Sequence, residues 1–125
     1  MAASTNWLLY GFDSKIGLKN HVQAIDIFLQ VAKGLSHMHE RGYVHADIKP
    51  NNILVDEGKY VKIIDLGQAC ETGTVKIRIQ GTPGYMAPEQ ANRDKITPKT
   101  DIYNLGAMMY FILVGDLIPT AMPPK

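Results

Sequence analysis

The chain has 125 residues, 46% of them apolar and 20% charged, which suits one compact domain and argues against wholesale disorder. Thirteen basic residues against twelve acidic ones leave a net charge of +1, which gives no reason to expect a nucleic-acid or membrane-surface partner. Cys70 is the single cysteine, so an internal disulfide is excluded and a reducing, cytoplasmic compartment is the expectation.

Met1 to Asn6 has no basic stretch followed by an apolar one and does not read as a secretory signal. Residues 1–19 have no clear period and are left as an unassigned leader; 20–125 carry everything that can be read. From about Asn20 to Glu40, Val22, Ile25, Phe28, Leu29, Ala32, Leu35 and Met38 recur at three- and four-residue spacing. That predicts an amphipathic helix, with Asn20 as N-cap and Gly42 as its stop. Short β-type segments follow at Tyr43 to His45, Ile53 to Val55 and Tyr60 to Ile64. The last two flank Asp56-Glu57-Gly58-Lys59 and read as a hairpin.

Gly67 to Gln80 is poor in apolar residues apart from the alternating Val75 to Ile79. Pro83-Gly84 and Pro88 leave room only for a short helix near Glu89. Thr97-Pro98 starts a further helix, with Thr100 an equally good cap, that runs to about Val114. Leu105 to Val114 is its most apolar part, too short for the roughly 20 residues of a membrane span. Being apolar nearly all round, it is expected to be a core helix buried on every side.

The chemistry concentrates in His45-Ala46-Asp47-Ile48-Lys49-Pro50-Asn51-Asn52, between two short strands. Asp47 is a carboxylate on a turn, able to orient a hydroxyl and accept its proton. Lys49 sets a cation on the same side, and Asn52 offers a neutral oxygen to a hard cation such as Mg²⁺. Asp65-Leu66-Gly67 adds a second carboxylate after the hairpin, beside a glycine that lets the backbone turn sharply. A base, a lysine and two oxygen ligands make up much of a phosphoryl-transfer site.

These residues resemble those of eukaryotic-type serine/threonine protein kinases. His45 to Asn52 is similar to their catalytic loop, and Asp65-Leu66-Gly67 to their metal-binding Asp-Phe-Gly. Gly81 to Glu89 resembles the end of the activation segment with its Ala-Pro-Glu, and Thr100 to Gly106 the start of the central buried helix. The resemblance covers about Asn20 to Asp116, with four motifs in the family's order. It implies an α+β fold, the mainly helical C-terminal lobe of the kinase fold with the N-terminal lobe absent. It also implies transfer of the ATP γ-phosphate to a protein Ser or Thr hydroxyl.

By the same resemblance, Asp47 is the catalytic base and Lys49 contacts the γ-phosphate of bound ATP. Asn52 and Asp65 hold Mg²⁺, Thr82 helps shape the substrate pocket, and Asp101 braces the catalytic-loop backbone from the core helix. His45 is then a packing and backbone-bonding residue. ATP and a protein substrate are the implied partners.

The sequence departs from the family's pattern in several places. Ala46 stands where many kinases have an arginine that pairs with an activation-segment phosphate; Lys76 and Arg78 could substitute for it, but a solvated strand face is the expectation. No Gly-x-Gly-x-x-Gly loop and no Val-Ala-x-Lys strand occurs. The chain by itself is therefore expected to bind Mg-ATP weakly and transfer little phosphate. A separately encoded N-lobe or another partner would have to cover the last helix, without which low solubility is expected. Glu89 is expected to stay solvated for want of an arginine. The competing readings are a non-catalytic kinase-like binding module and, more weakly, a small-molecule phosphotransferase; Lys49 and Gly81 to Glu89 argue against the latter.

Overall fold

A computed structural model of the chain describes residues 18–57 and 59–119. The readings made on the leader, on Gly58 and on the last six residues lie outside the described residues. Within them the chain is α+β, with three α-helices, one 3-10 turn at Pro50–Asn52 and two small antiparallel sheets. Helix α1 spans Leu18–Glu40, β1 Tyr43–Val44, β2 Ile53–Val55, β3 Val61–Ile63 and β4 Cys70–Glu71. The short α2 spans Pro88–Ala91, and α3 spans Pro98–Val114.

Helix α1 ends as read: Gly42 adopts φ 85 and donates its N–H to the carbonyl of His39 at 3.0 Å. Its start differs, because the helix begins at Leu18 and Asn20 lies inside the first turn. Its buried face differs too. Ala24, Ile27, Phe28, Val31 and Leu35 form the core side, whereas Val22, Ile25 and Leu29 are exposed. Both sets repeat at helical spacing. What selects between them is the position of α3 and the hairpin, which the periodicity of one helix does not encode.

The hairpin pairs Ile53 with Ile63 and Val55 with Val61. Asp56 closes its turn, accepting from the N–H of Tyr60 on Oδ1 at 2.9 Å and from the N–H of Lys59 on its carbonyl at 2.9 Å. Gln30 of α1 holds the hairpin from below, donating to the Lys59 carbonyl at 2.8 Å and accepting from the Val61 N–H at 3.0 Å.

Helix α3 begins at Pro98 after Thr97, as the Thr-Pro pair predicts, and stops at Gly115 in the left-handed conformation. Leu105, Met108 and Ile112 pack on α1, Ile48, Ile53 and Val55 to form the main core. The expectation of burial on every side is not met. Ile102, Tyr110, Leu113 and Val114 are exposed, because the described elements cover only one side of α3. Among the described residues no helix is long and apolar enough to cross a membrane.

A second, smaller core of Val44, Ala46 and Ile96 joins the strand before the catalytic-type loop to the approach to α3. Strand β1 pairs with β4, matching Val44 to Cys70. The segment after β4 is then tied to the α3 approach: Gly73 donates to the Ile96 carbonyl at 2.7 Å, and Ile96 to that of Thr74 at 2.8 Å. The alternating Val75 to Ile79 forms only a single bridge, Val75 to Lys95, and leaves Ile77 91% exposed. Lys76 spends its ammonium on the Gln68 carbonyl at 2.7 Å.

Candidate active site

The loop after β1 turns on Ala46, a non-glycine residue at φ 66. Such a conformation costs on the order of 1–3 kcal/mol and persists only where the surroundings hold it. Asp101, fully buried in the first turn of α3, supplies the hold. Its Oδ1 accepts from the Ala46 N–H at 2.8 Å, and its Oδ2 accepts from the His45 N–H at 3.0 Å. The brace assigned to Asp101 by resemblance is thus present as two backbone hydrogen bonds.

His45 has no exposed surface, and its ring bridges two loops. Nδ1 accepts from the Asp47 N–H at 3.1 Å, which leaves Nε2 as the donor to the Ile64 carbonyl at 2.9 Å. That tautomer fits a structural residue and not a proton shuttle.

Four of the five candidate site residues meet directly. Lys49 donates from Nζ to Thr82 Oγ1 at 2.7 Å, and Thr82 donates from Oγ1 to Asp47 Oδ1 at 3.1 Å. Lys49 Nζ also stands 3.9 Å from Asp47 Oδ2. Asn52, nearly fully buried, turns its amide nitrogen to the Asp47 carbonyl at 2.7 Å and to Oδ2 at 3.3 Å. The amide oxygen of Asn52 is thereby left available for another ligand. The carboxylate that emerges is fixed from two sides, with a hydroxyl and a cation next to it.

Asp65 is not joined to the other four. It is exposed, adopts φ 61, and its Oδ1 accepts from the Gly67 N–H at 3.1 Å. Its backbone is nevertheless anchored to the same loop, since Ile64 donates its N–H to the Asn52 carbonyl at 2.9 Å and accepts from His45.

Three supporting contacts escaped the sequence reading. His39 of α1 places Nε2 2.7 Å from Asp101 Oδ2, across 62 residues of chain. Gln90, nearly fully buried, reaches the Ala46 carbonyl at 2.7 Å. Thr100 donates to Glu89 Oε2 at 2.7 Å, so Glu89 is partly buried and hydrogen-bonded and not simply solvated. Only Glu89-Gln90 had a local cue, its place directly after Ala87-Pro88. Burial pushes the phenol of Tyr85 above its ordinary value, and its ring stands edge-on to Phe111 with centroids 6.2 Å apart.

Comparison with known proteins agrees with this geometry. The model of the protein kinase domain family matches residues 6–122. Serine/threonine-protein kinase drp72 of Corynebacterium efficiens is 41% identical over 96 residues, which are 74% of this chain and 18% of that protein. PknB of Mycolicibacterium smegmatis is 35% identical over 100 residues, 75% of this chain and 16% of the relative. A plant relative, serine/threonine-protein kinase TIO of Arabidopsis thaliana, is 40% identical over 107 residues, 83% of this chain and 8% of its own length. The chain thus spans less than a fifth of the length of these curated relatives. Motif order, loop geometry and relatives agree: the chain belongs to the eukaryotic-type serine/threonine protein kinase family.

Proposed function

We propose that this chain is the C-terminal-lobe portion of a kinase domain that transfers the ATP γ-phosphate to a Ser or Thr hydroxyl of a protein. The observation that carries the reading is the chain of contacts from Lys49 through Thr82 to Asp47, with Asn52 on the same carboxylate. Asp47 accepts the proton of the incoming hydroxyl. Lys49 offsets charge on the transferring phosphoryl group, and Thr82 orients Asp47 while bordering the substrate pocket.

Asn52 and Asp65 are oxygen donors of the kind that suit Mg²⁺, and the engaged Asn52 amide nitrogen, which leaves its oxygen free, supports this use. When bound, Mg²⁺ would neutralise charge on the ATP phosphates. A cytoplasmic site fits the lone Cys70, and a covering partner fits the exposed side of α3.

A non-catalytic binding module is the second reading, favoured by the separation of Asp65 from the other four residues. Titration with Mn²⁺-ATP, followed by NMR line broadening, separates the two. Broadening centred on Asn52 and Asp65 and abolished by Asp65→Asn supports the kinase site. Any phosphate transferred from radiolabelled ATP should fall by about 10²-fold or more in Asp47→Asn. Broadening scattered over surface carboxylates such as Glu57 and Asp94, unchanged in Asp65→Asn, would sink the proposal.

A further inference from the structure

The left-handed peptide at Ala46 is held from both ends. Asp101 takes its N–H; the carbonyl, which leads directly into Asp47, takes Gln90 Nε2 at 2.7 Å. Gln90 is the third residue of the four-residue α2, and it is 4% exposed. Its Oε1 accepts from the Ala87 N–H at 2.9 Å and from Asn104 Nδ2 at 3.0 Å. Asn104 also donates to the Tyr85 carbonyl at 2.7 Å, and Gln90 Nε2 stands 3.5 Å from the Gln80 carbonyl.

One amide side chain therefore gathers four backbone positions, Gln80, Tyr85 (through Asn104), Ala87 and Ala46. The first three belong to the segment that carries Thr82. Gly81 makes room for it: a Cβ there would lie 3.2 Å from Gln90 Nε2, and φ is 141. A buried glutamine that only capped α2 would need its oxygen alone. The donated bond to the loop goes beyond that task.

The geometry assigns Gln90 as a positioning residue that locks the turn before Asp47 and ties it to the order of residues 80–87. This rests on the kinase reading for its consequence but not for its test. When the 80–87 segment shifts, Gln90 shifts, and the Ala46 peptide loses one of the two bonds that hold it left-handed. The segment then reports to the base through two routes: Thr82 on the carboxylate and Gln90 on the backbone.

Two variants separate positioning from capping. Gln90→Glu keeps oxygens for Ala87 and Asn104 but, when ionised, offers no donor to the Ala46 carbonyl; Gln90→Met offers neither. In both, the Ala46 carbonyl-carbon resonance should move upfield, and the Asp47 amide should exchange about tenfold faster. Hairpin amides of β2 and β3 should keep the wild-type rate. A wild-type Ala46 resonance and Asp47 exchange rate in folded Gln90→Met, which offers no donor in any protonation state, would overturn the assignment. So would a uniform rise that includes the hairpin, or unfolding of both variants, either of which makes Gln90 a folding residue. If Mn²⁺-ATP broadening does not centre on Asn52 and Asp65, the kinase reading suffers while these resonances still decide the role of Gln90.

Discussion

Replacing Asp101 by alanine removes, in one step, the acceptor for two buried backbone N–H groups, those of His45 and Ala46. Each orphaned donor costs about 1–3 kcal/mol, so the pair should cost roughly 2–6 kcal/mol. Whole domains of this size are stable by only about 5–15 kcal/mol. Asp101→Asn keeps one acceptor oxygen and should lose about half as much. His39→Ala leaves both N–H groups satisfied and removes one partly buried contact, for a loss of about 1 kcal/mol. Urea unfolding followed by circular dichroism gives the ordering directly, with m unchanged if the folded state stays compact. An Asp101→Ala loss below about 1 kcal/mol would mean that the two N–H groups find water or another partner, and the bracing argument would fail.

Met108 is fully buried between α1 and α3, so Met108→Ala should cost about 2–5 kcal/mol in the same assay; a smaller loss would mean the site collapses around the gap. Burial raises the Tyr85 phenol above its ordinary value of 10.0, so the folded state keeps that proton where the unfolded chain has released it. Stability should therefore be intact below about pH 10 and fall as pH rises from there through the folded value; Tyr85→Phe should flatten that fall in urea midpoints taken between about pH 8 and about pH 11. The exposed apolar side of α3 should drive self-association of the chain by itself, and Ile102→Glu with Val114→Lys should raise the monomer fraction in light scattering; a monomeric wild type would count against this.

Much of the fold and site was legible because the informative residues are local. The Asp47, Lys49 and Asn52 cluster lies within six positions. The hairpin, the C-terminal end of α1 and the ends of α3 follow from glycine, proline and turn residues that act on their immediate neighbours. The choice of buried face on α1 was not legible, since two apolar sets share one period and only packing separates them. The Asp101 brace was legible by resemblance, but the residues that support it and its loop were not. His39 and Gln90 are ordinary polar residues in sequence, and their partners lie 62 and 44 residues away. The want of cover on α3 was legible, but which of its residues face out was not, because an all-round apolar pattern does not say which side the described residues pack against.

The bonds between Asp101 and the His45–Ala46 backbone span 56 and 55 residues, which bears on when the loop can form. A chain emerging from the ribosome presents His45 to Asn52 long before α3, and closing so long a loop carries an entropy cost that local turns avoid. Helix α1 and the β2–β3 hairpin can assemble early from near neighbours, but the turn at Ala46 lacks both its Gln90 and its Asp101 bonds until α2 and α3 have docked. The arrangement of Asp47 should accordingly be among the last features acquired in folding and among the first lost when α3 detaches.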